Sequence, residues 1–332
     1  MDPLSQAVLG ATAAQCGAAP RELRSAAVVG LLAGMAADLD VLIRSQSDSL
    51  LFLEYHRQFT HSLPFIPVGS LIVAVALHYL FARRYLGFRK TLFYSALGYA
   101  THGLLDACTT YGTQLLWPFS DTRVAWNVVS IVDPLFTLPI LLLVAWAAAR
   151  RWRTAAVIGL AWAFLYMGAG MVQRDRAREI GMEQALARGH QPIRLEAKPS
   201  FANLLLWKIV YQTDERFYVD SVRTGIDTHF YPGNSVPVLD TRRQLAWLDP
   251  NSQQASDVER FRWFSNRYVA LHPDDPLQVI DVRYSIVPNE ISPLWTIRLN
   301  PQARKGEHAE FLVSRDADDH HRERFTRMLL GR

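Results

Sequence analysis

The sequence predicts an all-α, multi-pass membrane helix bundle of five to six helices, followed by a small α+β extramembrane domain. Three observations predict it. Long apolar runs are concentrated in residues 1–172, whereas residues 173–332 carry the mixed pattern of a water-soluble chain. Several of those runs reach the roughly 17–25 residues that a helix needs to cross a bilayer. Short basic blocks separate them, as expected where charge sets membrane orientation. The hydrophobic share of 50% excludes disorder, and 2 cysteines cannot staple a disulfide scaffold. The formal charge of +4 would suit a nucleic-acid partner only if the basic residues clustered on a soluble surface. They do not, so no nucleic acid is expected and the lipid bilayer is the expected partner.

The segment 3–19 is rich in small residues and slightly short for a span. It lacks the charged start of a cleavable signal peptide and is read as a helix. Clearer spans follow at 23–43, 63–82, 91–107, 134–149 and 154–172. Gly30, Gly34, Gly98 and Gly168 suit close helix packing in lipid. The basic blocks are Arg21 and Arg24, then Arg83, Arg84, Arg89 and Lys90, then Arg150, Arg151 and Arg153. Six crossings put all three on one face, which the positive-inside rule makes cytoplasmic. Loops 44–62 and 108–132 and the whole tail then face outward. Arg174, Arg176 and Arg178 oppose that assignment, with Asp175 and Glu179 as partial compensation.

In the tail, residues 174–188 read as a charged helix continuing the last span. Residues 204–212 and 217–222 read as strands around a Thr213-Asp214-Glu215 turn. A helix is predicted over 257–268, with Phe261, Phe264 and Tyr268 at core spacing. Further strands are predicted at 279–287, 294–299 and 311–314, and a closing helix at 318–330. His320 and His321, among acids and arginines, read as a solvated helix face.

The chemistry lies in the membrane half, where polar residues are costly. Asp38 and Asp40 end the second segment, His56, Arg57, Thr60 and His61 precede the third, His102 and Asp106 end the fourth, and Asp133 opens the fifth. An acidic side chain at mid-bilayer costs on the order of 2.5–3.5 kcal/mol, so such residues line a site or pair. On the six-helix topology all seven His and Asp residues fall at the outer end. His102 and Asp106 are i,i+4 and share one helix face. Asp38 and Asp40 are i,i+2, and reach one site only where the helix ends or unwinds. Imidazoles with carboxylates are ligands for zinc in the first place, or for manganese or iron. The candidate ligands are Asp38, Asp40, His56, His61, His102, Asp106 and Asp133, enough for two ions bridged by a carboxylate. Asp133 before Pro134 also reads as an ordinary helix cap.

These same residues carry a resemblance. Met1-Asp2-Pro3-Leu4-Ser5-Gln6, Ala37-Asp38-Leu39-Asp40, His56-Arg57-Gln58-Phe59-Thr60-His61-Ser62 and His102-Gly103-Leu104-Leu105-Asp106 resemble the YdjM-like family of bacterial inner-membrane proteins, labelled metal-dependent hydrolases. Thr110-Tyr111-Gly112-Thr113, Trp117-Pro118-Phe119-Ser120 and Asp133-Pro134 match the family's run before its next helix. The likeness covers about residues 1–170. It implies a multi-pass protein of the bacterial inner membrane and a metal-dependent hydrolase. Some members have His where this chain has Gln6.

The expected reaction is hydrolysis of a phosphoester or ester of a membrane-proximal or lipid-linked substrate, with a metal-activated water as nucleophile. Arg57 and Arg123 are candidates for stabilising developing negative charge, and Glu54 for the general base. The site and the C-terminal domain, residues 173–332, are expected on the periplasmic side. The competing readings are a non-catalytic membrane protein with a structural metal or polar cluster, and a transporter.

Overall fold

A computed structural model of the chain describes residues 1–314 and 318–332. By contact the chain divides into two units. One comprises Met1–Leu42, Tyr55–Val172 and Phe201–Asn203, and the other Ile43–Glu54, Gln173–Ser200 and Leu204–Arg332.

The first unit is helical. Its elements are α1 (Pro3–Cys16), α2 (Leu23–Met35), the end of α3 (Leu51–Tyr55), α4 (Ile66–Leu80), α5 (Phe88–Ala107), α6 (Pro134–Arg150) and the first part of α7 (Arg153–Ala187). Three stretches are long and apolar enough to cross a membrane: Pro20–Leu42, Leu63–Leu80 and Arg153–Ala187. Helix α6 is as apolar but has only 17 residues. Helix α5 has 20 residues and is diluted by polar side chains, His102 and Asp106 among them. Leu135, Leu142, Phe164, Leu165 and Val172 are exposed, the outward apolar surface that lipid covers.

Helix α1, with 14 residues, packs on α2, α5 and α6 and is buried along most of its length. The side chain of Asp2 caps it, accepting from the backbone N–H of Leu4 and Ser5. Small residues set how closely the helices approach. A Cβ on Gly98 would lie 2.4 Å from the Gly30 carbonyl oxygen, and one on Gly30 would lie 2.5 Å from the Gly10 oxygen. Gly168 differs from the sequence expectation: nothing lies within 4 Å of its Cβ position, because it faces outward on α7. Past Met35 the α-helix tightens into a 3₁₀ segment, Ala36–Leu42, which carries both Asp38 and Asp40.

The second unit contains the rest of α7 and two antiparallel sheets. One has the order β1 (Arg194–Pro199), β2 (Leu206–Gln212), β3 (Arg216–Thr224), β4 (Thr228–Tyr231), with β5 (Ser235–Pro237) also on β3. After α8 (Thr241–Gln244) and α9 (Gln253–Phe264) comes the second sheet. It runs β6 (Val269–His272), β7 (Asp275–Asp281), β8 (Trp295–Arg298), β9 (Glu310–Val313), and α10 (Asp319–Leu329) closes the chain. Trp207, Ile209, Tyr211 and Val222 pack with Ala177 and Ala185 of α7, while Val210, Phe217 and Val219 pack with Tyr268 and Ile280. Both faces of β2 are therefore buried, which explains its apolar run.

Candidate metal centre

Three elements of the first unit bring four side chains to one point. The 3₁₀ turn supplies Asp38, the loop ahead of α4 supplies His61, and the last turns of α5 supply His102 and Asp106. His61 Nε2 lies 3.0 Å from His102 Nε2, and each lies 3.3 Å from Asp38 Oδ1. Asp106 Oδ2 is 3.3 Å from His61 Nε2 and 3.8 Å from His102 Nε2. A tetrahedral zinc with bonds of about 2.0–2.1 Å separates its ligand atoms by about 3.3–3.4 Å. The separations of 3.0 to 3.8 Å bracket that spacing, and all four ligand atoms lie within 4.8 Å of one another, a group that could hold one small cation. A second group, Asp38, Asp40 and His56, shares Asp38 with the first.

The orientation of the imidazoles fits the same reading. His102 Nδ1 meets the Gly34 carbonyl oxygen at 2.5 Å, which leaves Nε2 with its lone pair facing the cluster. His61 Nδ1 lies 3.2 Å from Asp40 Oδ2, a carboxylate behind an imidazole, as behind many metal ligands. Asp40 also takes the Arg57 N–H at 3.0 Å, the Thr60 hydroxyl at 2.9 Å and His56 Nδ1 at 2.8 Å. Burial holds the His56 imidazole below its ordinary pKa, against the pull of Asp40, which favours the neutral ring a metal needs.

Arg57 adopts a left-handed backbone, φ +64°. This conformation is uncommon for a residue with a side chain. It places the Arg57 N–H on Asp40 while the guanidinium Nε lies 3.0 Å from Asp106 Oδ2. The guanidinium also stacks over Tyr111, 4.7 Å from the ring centroid, and donates to Thr109. The α-amino group of Met1 pairs with Asp106 Oδ1, and Gln6 Nε2 donates to that oxygen at 2.8 Å. The fourth ligand carboxylate side, at Asp38, is 26% exposed, whereas the His61, His102 and Asp106 side chains are fully buried.

The remaining sequence candidates lie elsewhere. Asp133 joins neither ligand group: it caps α6 through the Phe136 N–H and accepts the Tyr166 hydroxyl at 2.8 Å. The Pro134 that follows makes it the N-cap, and this turns the carboxylate toward the helix end. Arg123 donates to the Gly112 carbonyl at 2.9 Å and reaches Tyr111 on the ring that Arg57 also contacts. Glu54 belongs to the second unit, where it pairs with Arg260. Gln6 and Tyr111 are contributors that polarity and spacing alone did not single out. A glutamine in a run of small apolar residues was the available signal for the first.

The family model of the YdjM inner membrane protein matches residues 1–177, which includes every residue of both ligand groups. The chain is also 26% identical over 268 residues to uncharacterized protein YfhP of Bacillus subtilis (strain 168), covering 78% of this chain and 77% of that protein. No solved structure matches it.

Proposed function

The chain belongs to the YdjM inner membrane protein family, and from that premise we propose that it is a metal-dependent hydrolase of a membrane-proximal phosphoester or ester. The carrying observation is the convergence of Asp38, His61, His102 and Asp106 at ligand spacing, with Asp40 and His56 beside them. The donor set of imidazole and carboxylate suits zinc first, then manganese or iron. Such an ion, when bound, polarises an ester or phosphoryl oxygen and makes a water acidic enough to attack near neutral pH.

The protein's own residues have separable roles in this reading. Asp40 orients His61 and His56, and the Gly34 carbonyl orients His102. Arg57 carries a buried positive charge next to the cluster, suited to an anionic group on the substrate. Asp38, the partly exposed ligand, marks the open side by which a substrate reaches the centre. An accessible side supports hydrolysis over a purely structural ion, which four closed ligands would favour.

The test begins with metal content. Purified protein is expected to hold one or two transition-metal ions per chain, and His102→Ala and Asp106→Ala each to lower that content sharply. A panel of phosphodiester and ester substrates on lipid carriers then follows. Unchanged metal content in both variants sinks the metal reading; full metal with no turnover on any ester leaves a structural ion.

A further inference from the structure

We propose that Arg260 is a positioning residue for the metal centre, holding the loop whose two ends carry Asp40 and His56; this rests on the metal reading above. The loop, Ile43–Glu54, begins three residues after Asp40 and stops two before His56. Its base is closed in the first unit. Asp40 Oδ1 meets His56 Nδ1 at 2.8 Å, and Asp40 Oδ2 accepts from the Arg57 N–H and the Thr60 hydroxyl.

The loop itself folds as part of the second unit, and one guanidinium gathers it there. Arg260 Nη1 and Nη2 donate to Asp48 Oδ1 and Oδ2 at 3.0 and 2.8 Å, a bidentate fork. Nε donates to Glu54, and Nη1 also to Asp257 Oδ1 at 2.8 Å. Asp257 is buried and fixed in turn by the Ala309 N–H at 2.9 Å and His308 at 3.0 Å. Beside this cluster the Ser49 hydroxyl donates to the Ala309 carbonyl at 2.9 Å, and Leu50 and Leu53 are buried.

This arrangement differs from a surface ion pair. The Arg260 side chain is only 18% exposed and bridges three carboxylates, two of them from the loop. Lysine cannot reproduce the planar fork. A loop left free between Asp40 and His56 would sample many conformations, and metal binding would then have to order it. With the loop held, the Asp40–His56 arm is arranged in advance. Partners outside the ligand shell commonly change metal affinity by about 10–100-fold.

The experiment uses the full-length protein in detergent, titrated with cobalt(II) against a competing chelator. The visible absorption of bound cobalt reports ligand geometry. Arg260→Ala, and separately Asp48→Ala with Glu54→Ala, are expected to weaken cobalt binding about tenfold or more and to alter the absorption bands. Arg260→Lys is expected to recover part of the affinity. The double variant leaves the Arg260–Asp257 pair in place, so it decides the matter where Arg260→Ala fails to fold. Wild-type affinity and spectrum in the double variant would overturn this inference alone. No cobalt on the wild type would overturn it together with the metal reading.

Discussion

Gly103 is where a single methyl group would be felt at the candidate centre. A Cβ there would lie 2.1 Å from the His61 carbonyl oxygen, a distance at which backbone must move. Gly103 follows His102 on α5, so the clash separates the two imidazoles that now meet at 3.0 Å. Overpacking of this kind typically costs about 1–3 kcal/mol. Gly103→Ala is therefore expected to lower metal content and thermal stability together, measured by metal analysis and melting in detergent. A variant with unchanged melting and unchanged metal would show that the His61 backbone is free to move, contrary to the packing described. Gln6 acts from the other side. Its Nε2 donates to Asp106 Oδ1, while its Oε1 is buried with no hydrogen-bond partner among the described residues.

At the scale of elements, the sequence is most legible where one periodicity governs a whole segment. The turn at Thr213-Asp214-Glu215 separates β2 from β3, and the charged run after residue 173 continues α7 without a break. Legibility fails where tertiary contacts decide. The helix read over 257–268 stops at Phe264, because Asn266 and Arg267 turn left-handed, φ +48° and +62°, yet Tyr268 still reaches the core. The strand read at 279–287 begins at Asp275 and ends at Asp281, where Arg283 folds back onto that carboxylate. Strand β1 escapes notice because Glu196 and Lys198 pair with each other and so interrupt an apolar pattern. The candidate ligands were legible because polar side chains at the ends of apolar runs stand out. The role of 43–54 was not, since its partner Arg260 is 212 positions from Asp48 and leaves no local period.

Strand β2 also carries a buried lysine with a testable consequence. Burial pushes the Lys208 ammonium down to about 7 from 10.5, against the attraction of Asp281 and Glu290, while its Nζ donates to Ser285 and the Glu290 carbonyl. The unfolded chain then binds this proton more tightly than the folded one. Stability should therefore rise as pH increases from about 7 toward 10.5, where the unfolded state alone keeps the proton. Urea midpoints followed by the fluorescence of the buried Trp207 should climb between pH 7 and 9 in the wild type and climb less in Lys208→Met. Identical pH slopes in the two proteins would remove Lys208 as the cause.

For the whole molecule, the composition of the second unit constrains how the chain threads the bilayer. That unit contains Ile43–Glu54, Gln173–Ser200 and Leu204–Arg332, and segments held together by their own contacts are expected on one side of the membrane. Between them run α4, α5, α6 and α7. Two of these, the stretches Leu63–Leu80 and Arg153–Ala187, are long and apolar enough to cross, and two crossings return the chain to the same side. Helices α5 and α6 must then cross as a pair or not at all. Either way the basic block Arg83–Arg84 after α4, with Arg89 and Lys90, is expected across the membrane from Ile43–Glu54, as are Arg150, Arg151 and Arg153 ahead of α7. Arg21 and Arg24, at the start of the first long span, are expected on that same far side. Within ~15–20 residues of a span such blocks stay cytoplasmic, which for an inner-membrane protein predicts a periplasmic second unit. The opposing arginines are partly occupied, Arg174 with Asp175 and Arg176 with Gln173 and the Gly225 carbonyl. We therefore predict that alkaline phosphatase fused after Arg332 is active and that a green fluorescent reporter, exported unfolded to the same place, is dark. Insertion of either reporter between Tyr85 and Gly87 should give the reverse pattern. A fluorescent C-terminal fusion would turn the whole molecule over, placing Ile43–Glu54 and the second unit in the cytoplasm while leaving the ligand geometry as it is.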